Sequence, residues 1–260
     1  MRKVSIGLGT LAAIGALALP ASALAAQTLT LSPSLSGKLG GPGKLTFAFT
    51  VGTSPAAPVP SPLNNQFVAE LPAGITYSAT GFQTCPLATV MAATGATPPA
   101  CPAGSVAGSG SATFQAVLGT QMLNEPSNIT IYLTQANPIT LAFWGNGTKP
   151  IAETKIFTGT LAPDGTPYGE KLITNVPQIT TVPGGPDASV TQFSSTLYAV
   201  RTLKQTKMVK KGKKKVKQTV TATVSAITLP KKCSGSLSWK GTASFEDMSS
   251  VTQTATTACP

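Results

Sequence analysis

Histidine is absent from the 260-residue chain. Its absence removes the commonest general base at neutral pH and, with it, the Ser-His and Cys-His pairs of most nucleophilic hydrolases. Four cysteines remain, without imidazole partners and at spacings that match no zinc pattern. No lysine has a serine three residues before it, which excludes the usual serine-lysine arrangement. The glycine-rich run Gly104-Ser105-Val106-Ala107-Gly108-Ser109-Gly110 lacks the Lys-Ser/Thr ending of a phosphate loop and reads as a turn or bulge beside a strand at Phe114. Gly37 to Lys44 fails the same test on spacing. Charged residues are only 10% of the chain and aromatics 6%. That composition disfavours helices, which draw on Glu, Lys and Leu, and suits short strands joined by Thr-, Ser-, Gly- and Pro-rich turns. The chain implies no cofactor and no metal.

Long apolar runs are missing beyond the N-terminus. Met1, Arg2 and Lys3 precede an apolar run from Val4 to Leu19, then Pro20 and the small residues Ala21 to Ala25. The order charged, apolar, small is that of a secretory signal peptide, with a helical apolar part and cleavage after Ala25; Ala21-Ser22-Ala23 is the competing site. A membrane-anchored start is the rival reading, but the run falls short of the ~20 residues a spanning helix needs. The expectation is therefore a leader over 1–25 and a secreted or envelope-surface domain over 26–260. Exported chains keep even numbers of cysteines as disulfides. Of three possible connectivities, Cys85 with Cys101 and Cys233 with Cys259 is preferred, because each pair closes a short turn-rich loop.

Strands are marked by period-two alternation. Leu45, Phe47, Phe49 and Val51 form the clearest set, followed by Leu29 and Leu31; Phe67, Ala69 and Leu71; Ala112, Phe114 and Ala116; Ile129, Ile131 and Leu133; and Ile139, Leu141 and Phe143. Thr53 to Pro62 and Pro177 to Asp187 are too rich in proline or glycine for central strands. Pro86 to Ala93 suits one or two helical turns. The pattern predicts an all-β, disulfide-stapled β-sandwich with jelly-roll-like connections. Its longest unbroken β pattern runs from Val190 to Leu229, and its middle is crowded with lysine around Gly212, which predicts a protruding basic β-hairpin with its tip over 204–217.

Charge is concentrated there. Without Arg2 and Lys3 the chain carries 17 basic and 8 acidic residues, and nine of the basic ones are Arg201, Lys204, Lys207, Lys210, Lys211, Lys213, Lys214, Lys215 and Lys217. The remainder balances, 8 against 8, so basicity is local. Such a cluster attracts anionic cell-wall polymer or a membrane surface through salt-screened forces. It lacks the aromatic platforms of single-strand readers, so no specific nucleic acid is expected. The competing reading is a solvated tip whose lysines discourage edge pairing.

Glycosidase chemistry would need two converging carboxylates from Glu70, Glu125, Glu153, Asp164, Glu170, Asp187, Glu246 and Asp247, and no local context singles out a pair. An alternative function is carbohydrate binding through exposed aromatics, with Trp144 and Trp239 as stacking residues beside Tyr132 and Tyr168, but core packing is the preferred reading of these rings, since buried aromatics dominate sandwich interiors.

Leu71-Pro72-Ala73-Gly74-Ile75, Cys85, Cys101-Pro102-Ala103-Gly104-Ser105 and Gly108-Ser109-Gly110, together with Pro230-Lys231-Lys232-Cys233, Phe245-Glu246-Asp247 and Cys259-Pro260, form a pattern. It resembles one found in secreted proteins of high-GC Gram-positive (actinobacterial) soil bacteria. The resemblance implies a shared disulfide framework and carries over no catalytic residue. Related chains often have glycine where this one has Met248.

Overall fold

The computed structural model describes residues 26–147, 149–150, 153–181, 184–211 and 214–260, with the backbone alone at Gln205, Lys207, Lys210, Lys211, Lys214, Lys215 and Val220. The expected leader over 1–25 lies outside the described residues, as do Gly212 and Lys213.

In chain order the first strands are β1 (Ala26–Leu31), β2 (Ser34–Gly37), β3 (Gly43–Ser54), β4 (Leu63–Pro72) and β5 (Thr76–Tyr77), followed by the short helix α1 (Leu87–Met91). A run of antiparallel neighbours comes next: β6 (Val106–Leu118), β7 (Gln121–Ala136), β8 (Ile139–Gly147), β9 (Glu153–Pro163) and β10 (Tyr168–Val176). The last part contains β11 (Ser189–Leu197), β12 (Val200–Lys211), β13 (Lys214–Ser225), β14 (Ile227–Thr228), β15 (Ser236–Phe245) and β16 (Ser250–Ala258).

One sheet runs β1-β3-β11-β6-β7-β8-β9-β10-β4-β15-β16, with β2 also on β3. The sheet is folded over on itself. Phe49 on β3 and Phe67 on β4 are seven strand spacings apart along that order, roughly 34 Å in a flat sheet. Their rings nevertheless stack with centroids 4.4 Å apart. Phe47 meets Trp239 at 6.4 Å, and Phe193 on β11 meets Phe143 and Phe157 at 6.2 and 5.9 Å. The two halves of the sheet are therefore the layers of a sandwich, and the alternate Leu, Ile, Val and Phe of each layer form the core between them. At the open side, Gln27 Nε2 on β1 donates to Asp247 Oδ2 beyond β15 at 2.8 Å.

The glycine-rich run starts β6 with a register shift between Val106 and Gly108, the bulge anticipated from sequence. Gly108 and Gly110 then pass so close to the carbonyls of Thr196 and Ser194 on β11 that a Cβ would collide with them.

Both disulfides join the expected partners, Cys85 with Cys101 and Cys233 with Cys259, at Cα separations of 5.2 and 5.8 Å. The first closes the loop that carries α1 over the outer face of β8. This is why β8 is buried on both faces: Leu141 and Phe143 point into the main core, while Ala142 and Trp144 join Cys85, Val90 and Tyr132 in a small second core. Asn146 Nδ2 and Thr154 Oγ1 fix the far end of the loop by donating to the Gly95 carbonyl at 2.8 and 2.5 Å. The second disulfide ties the chain ahead of β15 to the end of β16.

Candidate polyanion interface

The β pattern that looks unbroken from Val190 to Leu229 divides in two. β11 stays in the main sheet because Val190 and Leu197 are buried in the core. Tyr198 and Ala199 then turn, both donating their amides to the Ala107 carbonyl at 3.2 Å. Beyond that turn β12 and β13 leave the main sheet and pair only with each other, from Val200 opposite Ser225 to Lys211 opposite Lys214.

The base of this ribbon is held firmly. Leu203 packs directly over Gly81, whose φ of 81° already disfavours any side chain. Ala226 N donates to Ala199 O at 2.9 Å, Ser78 N donates to Ala226 O at 3.0 Å, and β14 pairs with β5 just below. Arg201 is part of this anchorage. Its guanidinium donates to the carbonyls of Ala103 and Val200 at 3.0 Å and of Val106 at 3.4 Å, and stands 5.5 Å from the Phe82 ring centre. Arg201 thus differs from the lysines further out on the ribbon: two of its three hydrogen bonds, and its contact with Phe82, tie it to the body.

Outside the base the described side chains of the ribbon are open to solvent. Lys204, Thr206, Met208, Val209, Val216, Lys217, Gln218, Thr219 and Thr221 are all exposed. The backbone places Lys207 opposite Gln218, Lys210 opposite Lys215 and Lys211 opposite Lys214. Seven residue steps from Lys204 to Lys211 give a reach of roughly 25 Å. The ion pairs among the described residues lie on the body: Lys155 with Glu153, Lys171 with Asp164 at 3.8 Å and Lys240 with Glu70 at 2.8 Å.

The preferred reading of Trp144 and Trp239 as core residues holds, and their alternative role as stacking residues is corrected. Trp239 is 0% and Trp144 6% exposed, so neither ring face is open to a sugar. Trp239 is a core residue whose Nε1 donates to Thr257 Oγ1 at 2.9 Å. Tyr132 is buried beside Trp144, while Tyr168 lies 5.8 Å from Lys240 Nζ.

The carboxylates are spread over the body. Glu125 and Glu153 line one cavity of about 30 Å³, far below the roughly 300 Å³ at which small-molecule sites begin. Thr180 Oγ1 donates to Asp187 at 3.1 Å and Gln178 Nε2 to Glu246 at 3.4 Å. Asp247 accepts from Ser249 N at 2.9 Å. Its carboxyl is held below the usual range: partial burial pushes it up, but the hydrogen bonds from Ser249 and Gln27 outweigh that. Burial pushes the phenols of Tyr77 and Tyr132 up, with Glu170 adding to the effect at Tyr77, and the hydrogen bond to Glu70 raises Lys240. Each of these four shifts moves its group away from neutrality.

The core holds a cavity of about 50 Å³ lined mainly by Phe, Leu and Ala, also too small for an organic ligand. An open hollow of about 670 Å³ lies in the first disulfide loop, lined by Ala, Thr and Pro with no ionisable side chain. Compared with family models, curated proteins and solved structures, the chain matches none.

Sequence reasoning identified the ribbon and its lysines but missed the anchoring role of Arg201 and the exposed pair Val209 and Val216. The second was within reach: the two valines are equidistant from Gly212–Lys213, so a turn placed there sets them opposite each other.

Proposed function

We propose that this chain is an exported, non-enzymatic protein of the cell envelope or extracellular space that engages anionic wall polymers or membrane surfaces through the β12–β13 ribbon. The observation that supports this reading is the division of charge. Eight lysines lie from Lys204 to Lys217 with no acidic residue among them, and the described side chains on that stretch are exposed. The body outside the ribbon is balanced. The field of such a ribbon reaches about a Debye length, ~10 Å at 0.1 M salt. A two-stranded lever roughly 25 Å long keeps the neutral body out of the contact. The two disulfides fit an oxidising compartment outside the cytoplasm.

The test is co-sedimentation of the protein with isolated cell envelopes at low and high salt, beside a variant with Lys210, Lys211, Lys213, Lys214 and Lys215 changed to Ser. The native protein is expected to pellet at low salt and be released at high salt, and the variant to stay in solution. Equal behaviour of the two proteins contradicts the reading.

A further inference from the structure

We propose that the surface engaged by the ribbon is the headgroup and acyl boundary of an anionic lipid bilayer; the proposal rests on the polyanion reading above and narrows its partner. The observation behind it is an apolar rung set among the lysines. Val209 and Val216 stand directly opposite each other and are 37% and 40% exposed. They belong to the same face as the register positions of Lys207 and of the Lys211–Lys214 rung, because residues two apart on a strand share a face. At the base this face also carries Leu203 and Ala222, with Leu203 seated on Gly81. Further out the same face is exposed at Val209 and Val216, in keeping with the right-handed twist common to two-stranded ribbons. The result is an amphipathic strip: two β-branched side chains with cationic positions on either side, far from the core that would otherwise bury them.

Three kinds of occupant differ in how they meet that strip. A second copy of the ribbon would bring two clusters of lysines together, and like charges oppose such edge or face pairing. A water-soluble polyanion satisfies the lysines but offers no apolar phase to the valines. An anionic bilayer satisfies both. Lysine stems extend along the interface with their ammonium groups at the phosphates, and a small apolar pair sinks to the boundary between headgroups and chains. Met208 provides an internal control. It is 59% exposed, but lies one position from Val209 and so on the opposite face. The ribbon therefore lies along the bilayer on its valine face, with Met208 turned to water.

The experiment measures partition of the full-length mature protein onto vesicles containing phosphatidylglycerol, onto vesicles of phosphatidylcholine alone, and binding to soluble polyphosphate. Native protein is compared with V209T/V216T and with M208T. Threonine retains the β-branched shape that strands favour, and unchanged thermal unfolding confirms that each variant is folded. The expected result is that V209T/V216T binds polyphosphate as the native protein does but partitions onto phosphatidylglycerol vesicles about tenfold less, while M208T partitions like the native protein. Equal partition of V209T/V216T and native protein overturns the proposal, as does an equal loss in M208T. Native protein that binds polyphosphate but not anionic vesicles overturns this proposal and leaves the polyanion reading standing. Binding to neither overturns both.

Discussion

Met248 shows how a single residue can carry local strain. It sits in the turn between β15 and β16 with φ of 66° and is 93% exposed. Its amide donates to Phe245 O at 3.0 Å, and Phe245 N donates to Ser249 O at 2.9 Å, closing the turn. A left-handed conformation costs a residue with a Cβ about 1–2 kcal/mol, part of which glycine gives back through its freer unfolded chain. Met248→Gly should therefore raise stability by about 0.5–1 kcal/mol, a melting temperature higher by roughly 1–4 °C for a domain of this size. Met248→Ala keeps the strain and should melt with the native protein. The side chain contributes no burial to offset the gain, so a lower melting temperature for Met248→Gly would refute the assignment.

At the scale of the element, alternation in the sequence was readable where one face of a strand is buried and the other wet. β3 shows this most clearly, with Leu45, Phe47, Phe49 and Val51 buried. It failed where that condition fails. β8 is buried on both faces, so its apolar run hides which face Trp144 occupies and that it belongs to a second core. β9 has Gly159 between Phe157 and Leu161 in its inward row, which breaks the apolar alternation. β16, at the end of the sheet, is mostly exposed Thr, Ser and Gln and carries almost no apolar signal. The α1 loop was legible because a local cysteine pair and Pro86 bracket it, but what it covers was not, since that depends on contacts with β7 and β8 distant in sequence. Removing Cys85–Cys101 by double serine substitution should cost about 3 kcal/mol through the freed loop and expose Trp144 ahead of Trp239. Urea unfolding followed by tryptophan fluorescence reads both effects. An unchanged midpoint would mean that the loop is held without its disulfide.

For the whole molecule, the division of labour follows from where polar and apolar groups were placed. The body is a rolled sheet, stapled at Cys85–Cys101 and Cys233–Cys259, with its carboxylates dispersed and three of its lysines paired with them. The ribbon is the opposite: long, bare, cationic and attached at one end through Leu203 and Arg201. Strand order was beyond reading from sequence, because β3 with β11 and β4 with β15 are pairings between distant segments that alternation does not encode. The ribbon was readable because its pairing is local and centred on one glycine. That locality also makes the functional reading open to direct test.

Lysine footprinting of the native protein, acetylated in the presence and absence of anionic envelopes and mapped by mass spectrometry, tests that division most directly. Lys38, Lys44, Lys231 and Lys232 on the body are exposed and serve as internal references. The account predicts that the envelope protects the ribbon lysines, most strongly Lys207, Lys211 and Lys214 at the register positions of the valine face, with the four reference lysines modified equally in both conditions. Protection of the reference lysines while the ribbon lysines remain fully reactive would contradict it.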